Sequence, residues 1–299
     1  MTVSMRGWTY GAEHELADWP LSTPLPAGYK RDVRDFTIVN SNGIANDPTG
    51  RLYGYGGEIN TPPTDSEEGQ VQCLREIKAL LPMAKVNYRS NLHVHVRAPG
   101  LGQDLEALKR VQRYIHENMR RVLRHIQQLP KPTAQEHPDR EELEGAWRRW
   151  RRRRVSHQTL LTSKRLAHQL EAPTLEEFYA REVPRTQEGR PLWHLQPRLC
   201  VNLRQHKETD TVEFRHFAGT LDEGELRTCV SWCNDFLHHA IMNLPIEDLL
   251  EAYDPRYFPA FPKYDHRLEV RYRRTVHDGS LRPEQIAANI RRILEEDGQ

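Results

Sequence analysis

Four short stretches of this 299-residue chain bring together residue types suited to chemistry with divalent metal ions and phosphate. Glu13 and Glu15 are separated by one residue, so in an extended segment with alternating side chains both carboxylates project from one face. Like charges that close raise each other's proton affinity, and paired hard oxygens suit Mg²⁺ or Mn²⁺. Taken alone, the pair fits a solvated strand face better than a metal. Three further stretches change that balance. Glu58 sits in Gly56-Gly57-Glu58-Ile59-Asn60, where the glycines let another group approach the backbone closely. His93 and His95 share a strand face and suit metal ligation or phosphate contact. Glu213 and Arg215 place a metal acceptor beside a phosphate-binding fork. Acid-x-acid, a lone acid, His-x-His and acid-x-Arg on four strands form the set a curved sheet needs to hold two or more ions against a polyphosphate.

Those residues require strands, and the pattern supplies them. Residues 8–16 alternate as a strand does, and the apolar run 36–39 leads into the turn-rich Asn40-Ser41-Asn42-Gly43. Residues 52–60 are extended and stopped by Thr61-Pro62-Pro63, because a proline pair cannot donate to a ladder. Over residues 88–97, Leu92, Val94 and Val96 fall on one face and Asn91, His93 and His95 on the other. Residues 198–203 and 211–217 predict a hairpin. Helices are expected at 66–81, 103–128, 141–154, 175–183, 222–242 and 283–296 from three- and four-residue apolar steps. The 103–128 stripe is the clearest, with Lys109, Arg110, Arg113, Arg120 and Arg124 around the rest of its surface. Residues 130–138, with three prolines, are expected to form a mobile linker.

Composition narrows the classes. The formal net charge is +1, so no global excess argues for a nucleic-acid coat or a membrane-surface protein. No apolar run is long enough for a membrane span and the first fifteen residues do not look like a signal peptide, so a cytoplasmic protein is expected. Cys73, Cys200, Cys229 and Cys233 lack paired zinc-knuckle spacing and are expected to be reduced, buried thiols. The one strong charge anomaly is local: Arg148, Arg149, Arg151, Arg152, Arg153 and Arg154, interleaved with Trp147 and Trp150. Such a run suits a polyanion, or a solvated helix end paired with Glu141, Glu142 and Glu144; Lys164 and Arg165 extend it.

Gly11-Ala12-Glu13-His14-Glu15, Gly57-Glu58-Ile59-Asn60-Thr61-Pro62-Pro63, Asn91-Leu92-His93-Val94-His95-Val96 and Val212-Glu213-Phe214-Arg215-His216-Phe217 occur in that order. Together they resemble the signature segments of the amidoligase family, a branch of the glutamine synthetase and glutamate-cysteine ligase superfamily of carboxylate-amine ligases. The resemblance spans roughly residues 8–236 and is thinnest between 130 and 191. It implies an α+β fold, a glutamine-synthetase-like curved antiparallel sheet flanked by helices, in a single catalytic domain with a basic helical insertion at about 130–190. It also implies ATP with Mg²⁺ (or Mn²⁺) and transfer of the γ-phosphoryl group to a carboxylate, giving an acyl phosphate that an amine attacks.

By the same match Glu13, Glu15, Glu58, His93 and Glu213 would be metal ligands, His95 a nucleotide-phosphate contact and Arg215 the clamp on the transferring phosphoryl. Glu13, Glu213 and Arg215 would carry the catalysis, with Asn202 and Arg198 as further nucleotide or substrate contacts. The chain departs from the family where Asn40-Ser41-Asn42-Gly43 stands in place of an acidic residue followed by a small polar one. His14 points away from its two glutamates and is expected to be structural. The implied partners are a carboxylate and an amine substrate, an anionic peptide or nucleic acid on the arginine run, no membrane, and other copies of the chain if it oligomerises. Two rival readings use the same residues otherwise: a metal-dependent hydrolase that activates water, and a nucleic-acid-binding protein acting through the arginine run.

Overall fold

The computed structural model describes residues 7–20, 22–32, 38–45, 55–126, 133–135, 139–141, 143–144, 162–182, 199–203, 210–260, 265–276 and 282–296. Six strands are found there: β1 (Thr9–Pro20), β2 (Lys30–Asp32), β3 (Tyr55–Asn60), β4 (Asn91–Arg97), β5 (Val201–Asn202) and β6 (Val212–Ala218). They form one sheet in the order β2-β3-β1-β4-β6-β5, every neighbouring pair antiparallel. Eight α-helices accompany them among the described residues: α1 (Glu67–Leu80), α2 (Leu105–Ile126), α3 (Ser163–Leu170), α4 (Leu175–Glu182), α5 (Glu223–Met242), α6 (Ile246–Ala252), α7 (His266–Thr275) and α8 (Pro283–Glu296). The class is thus mixed α and β around one antiparallel sheet.

One sheet face is a continuous apolar layer. Tyr10 and Ala12 of β1, Leu92, Val94 and Val96 of β4, and Val212 and Phe214 of β6 pack against α2 and α5. Phe214, His216, Phe217, Trp232 and Phe236 form an edge-to-face and stacked aromatic cluster within that layer. His14 lies on this face, 1% exposed and turned away from its two glutamates, and burial pulls its pKa down to about 4, so it is neutral. Cys73, Cys200, Cys229 and Cys233 are buried and free. A second cluster seats α1 through Ile77 and Leu81 against Leu16, Trp19 and Ile59.

The helix ends follow local chemistry. Ser66 caps α1 by accepting from the Gly69 amide, and Asp222 caps α5 by accepting from that of Glu225. The proline stop after β3 is completed by a side chain: the Thr61 hydroxyl accepts from the Ala12 amide at 2.8 Å and donates to Gln70 Oε1 at 2.7 Å. Gln70 Nε2 then donates to the Tyr10 carbonyl at 2.7 Å, tying α1 to the sheet.

Most expected elements are present with shifted ends. β1 runs on to Pro20, four residues past the alternation that announced it, and β4 begins at Asn91 because residues 87–90 form a turn closed on the Ser90 hydroxyl. β2, α3, α6 and α7 carry no periodic signal long enough to announce them. Most of the helix expected at 141–154, the arginines at 148–154 and Arg198 lie outside the described residues, as does most of the linker expected at 130–138. Among the described residues no helix is long and apolar enough to cross a membrane.

A buried ion cluster holds α7 to the turn before β4, and α8 packs on α7 through Ile286 and Ile290. Glu269 on α7, 4% exposed, accepts from Arg89 Nη2 at 2.9 Å, from the Tyr88 hydroxyl at 2.6 Å and from Arg273 Nε at 3.2 Å. The Arg89 guanidinium lies over the Tyr272 ring, 3.4 Å from its centroid. Burial alone would raise the Glu269 pKa, but the Arg89 charge and these hydrogen bonds outweigh it and hold the carboxyl at about 2. Because the folded pKa lies below the unfolded one, the stabilisation is complete above about pH 4.5 and is lost as pH falls towards 2. Glu269→Ala is expected to cost about 3 kcal/mol at pH 7, as removal of one partner from a buried pair does. Urea unfolding of both proteins at pH 7 and pH 3 checks this, the gap narrowing at the lower pH.

Candidate metal and phosphate site

Antiparallel register lines the chemistry up. Glu58 on β3 pairs with Glu15 on β1, Glu13 with His93 on β4, His95 with Glu213 on β6, and Glu213 with Asn202 on β5. Period two then sends all these side chains to the face opposite the apolar layer, in one row across five adjacent strands. Between Val94↔Phe214 and Leu92↔Phe217 the register shifts, so Arg215 and His216 together oppose His93. Period two from Glu213 keeps Arg215 on the site face and His216 in the aromatic core, and the β-bulge then returns Phe217 to the core as well.

His93 is the centre. Its Nδ1 lies 2.8 Å from Glu13 Oε2 and 3.5 Å from Glu213 Oε1, and its Nε2 lies 3.7 Å from Glu15 Oε1. His95 Nε2 approaches the other Glu13 oxygen at 2.9 Å, and His95 Nδ1 is 3.1 Å from the Thr211 hydroxyl. Arg215 Nη1 donates to Glu213 Oε1 at 2.5 Å, and Asn202 Nδ2 donates to Oε2 at 2.9 Å. Glu15 Oε2 accepts from both the backbone amide and the Nδ2 of Asn91, at 2.9 and 2.8 Å, and Glu58 Oε1 accepts from Asn60 Nδ2 at 2.9 Å. Thus Glu13, Glu15, Glu58, His93, His95, Asn202, Glu213 and Arg215 converge, while Arg198 lies outside the described residues.

Sequence reasoning did not single out Asn91, Asn60 and Thr211 for the site. Each lies two residues from a site residue on the same strand or its lead-in, so period two was the available signal. Each fixes the orientation of a site group rather than adding charge.

Two sets of donors lie close enough to share an ion: Glu13, His93 and Glu213, and Glu15, Glu58 and His93. His93 belongs to both, with Nδ1 towards the first and Nε2 towards the second. A neutral imidazole has one lone pair, so it ligates in one set while its N–H donates to a carboxylate of the other. The carboxylate majority suits Mg²⁺, and the imidazole extends the fit to Mn²⁺. Groups suited to a nucleotide's phosphates, Arg215 and His95, border these sets.

Electrostatics point the same way. Burial and then the neighbouring Glu13 charge push the Glu58 carboxyl well above the usual carboxylate range. For His93, burial and Arg215 act to lower the pKa, but the hydrogen bond and charge of Glu13, with Glu15 behind it, raise it to about 9. Burial opposes ionisation of Glu13 too, yet hydrogen bonds from His93 and His95 bring its pKa below the usual range. The metal-free site therefore holds protons on Glu58 and His93 at neutral pH, standing where a dication would act.

Comparison with protein-family models, characterised proteins and solved structures finds no match. The chemistry of the site thus rests on its own geometry.

Both raised pKa values lie above that of the metal-bound form, so ion binding at pH 7 is expected to release protons, and affinity to rise with pH up to about 9. Mn²⁺ titrations in buffers of different ionisation enthalpy measure the number released. About one proton or more per ion is expected, with fewer released by Glu58→Gln.

Proposed function

We propose that the chain is an ATP-dependent carboxylate-amine ligase, forming an amide through an acyl phosphate on a glutamine-synthetase-like fold. The observation that carries this reading is the single row of Glu58, Glu15, Glu13, His93, His95, Glu213 and Arg215 on one sheet face. Phosphoryl transfer needs positioning and charge neutralisation more than a nucleophilic side chain, and this row offers both. The same residues sit in four motif segments whose order resembles that of amidoligases.

Glu13, His93 and Glu213 would hold one ion and Glu15 with Glu58 another; bound there, the ions supply neutralisation of the β- and γ-phosphate charge. Arg215 would turn from Glu213 towards the transferring phosphoryl group, its fork matching two equatorial oxygens. His95, held on Thr211, would contact a phosphate oxygen. An oxygen of the acid substrate attacks the γ-phosphorus and ADP departs. The amine nitrogen then attacks the acyl carbon, inorganic phosphate leaves and the amine gives up a proton. Asn91, Asn60 and Asn202 keep Glu15, Glu58 and Glu213 aimed throughout.

A hydrolase using the same ions needs no guanidinium beside the metal carboxylate, and the pairing of buried Glu213 with half-buried Arg215 favours the ligase. Calorimetric titration of ATP with and without Mg²⁺ separates the two readings. Binding that requires Mg²⁺ and weakens at least about tenfold in Glu13→Gln is expected. Arg215→Lys is expected to keep that binding within a few-fold while ADP release falls about 10²-fold, since a point charge replaces a planar fork. Metal-independent or absent ATP binding in the wild type, or full turnover in Arg215→Lys, would overturn the assignment.

A further inference from the structure

The apolar stripe of α2 faces the sheet, and its opposite side carries a different feature. Arg110, Arg113, Arg120, Arg121 and Arg124 are exposed and fall within an arc of roughly 100° at 3.6 residues per turn. Among the described residues only Arg121 has a carboxylate partner, Glu247 on α6 at 2.8 Å, and Glu117 is the only exposed acid between Arg110 and Arg124. Lys109 is matched by Glu106. The other four guanidinium groups are spread over about 21 Å of helix axis, from 14 residues at about 1.5 Å each.

The neighbouring described elements flank this face and extend it. On one flank His125 Nε2 meets the Tyr253 carbonyl at 2.7 Å, where the chain leaves α6. On the other, the Ser163 hydroxyl lies 3.5 Å from His116 Nε2, setting the start of α3 beside the turn that carries Arg113 and Arg120. Lys164 and Arg165 are exposed there and continue the basic surface.

We propose that the outer face of α2, with the first turn of α3, binds the phosphate backbone of double-stranded nucleic acid without reading its sequence. Three observations select this partner. The cations on α2 are arginines, whose planar forks match phosphodiester oxygens, and their span covers about six base steps of a duplex. No exposed aromatic lies among them to stack on unpaired bases, as a single-strand surface has. The large exposed hydrophobic residues, Met83, Met242, Leu244, Tyr257 and Val270, all lie elsewhere, so the face has nothing to insert into a bilayer. The surface is on the far side of the sheet from the carboxylates and stands independently of the ligase reading.

Fluorescence anisotropy of a labelled 20-base-pair duplex against the full chain, from 50 to 200 mM salt, tests this. The four α2 arginines alone predict a log–log slope of about −3.6, a loss of about 150-fold over that range, and Lys164 and Arg165 steepen it further. Arg113→Gln with Arg120→Gln is expected to make the slope shallower by about 1.8 and weaken binding at 50 mM, with the urea midpoint unchanged because both side chains are exposed. Arg110→Gln with Arg124→Gln provides a second pair should the first alter folding. The proposal is overturned by any of three results: no duplex binding by the wild type at 50 mM salt, unchanged affinity and slope in both double variants, or tighter binding to phosphatidylserine vesicles than to the duplex.

Discussion

Four carboxylates crowded onto one sheet face are the constraint the rest of the structure answers. Glu13, Glu15, Glu58 and Glu213 converge on a single imidazole, and like charges so close and so buried cannot all stay ionised without cations among them. Arg215 supplies one positive charge, and His93 holds its proton well beyond the usual imidazole range. The neutral donors Asn60, Asn91 and Asn202 satisfy outward oxygen atoms without adding charge. A divalent ion replaces protons in such a site more effectively than a protein cation does, because it is small and takes several oxygens at once.

That arrangement depends on register. Side chains alternate with period two, so sliding β1 by one residue would bury Glu13 and Glu15 in the apolar layer and expose Ala12 and His14. The apolar layer against α2 and α5 therefore protects the site's geometry, although none of its residues touches the site. The bulge opposite His93 is a controlled exception. Glu213 and Arg215 keep to the polar face by period two, and the extra residue on β6 lets Phe217 return to the core one position out of step.

The sequence made the site more legible than the scaffold. Charged residues two apart on apolar-alternating runs are readable because the same period governs burial and function, hence Glu13/Glu15, His93/His95 and Glu213/Arg215. The helices beginning near Ser66 and Asp222 and the helix at Pro283–Glu296 were readable from their apolar steps for similar local reasons. The bulge was not, since it is set by cross-strand pairing rather than by any local pattern. α7 escaped notice because its sequence, His266–Thr275, is dominated by charge; it docks through Glu269 and Tyr272 on Arg89, a long-range contact. Asn91, Asn60 and Thr211 were hidden for a different reason: their roles lie in orienting another side chain, which composition alone does not reveal.

A net charge of +1 conceals a polar asymmetry across the sheet. Acidic groups gather on one face, and the outward side of α2 on the other is almost wholly basic. A helix about 10 Å across, plus the side-chain layer beneath it, separates the two. Screening in physiological salt acts over about 8 Å, so the fields of the two surfaces overlap little through solvent. Each can then attract its own counter-charge, cations at the carboxylates and anions at the arginines, without the near-neutral total weakening either. For this chain the distribution of charge, not its sum, is what bears on partners.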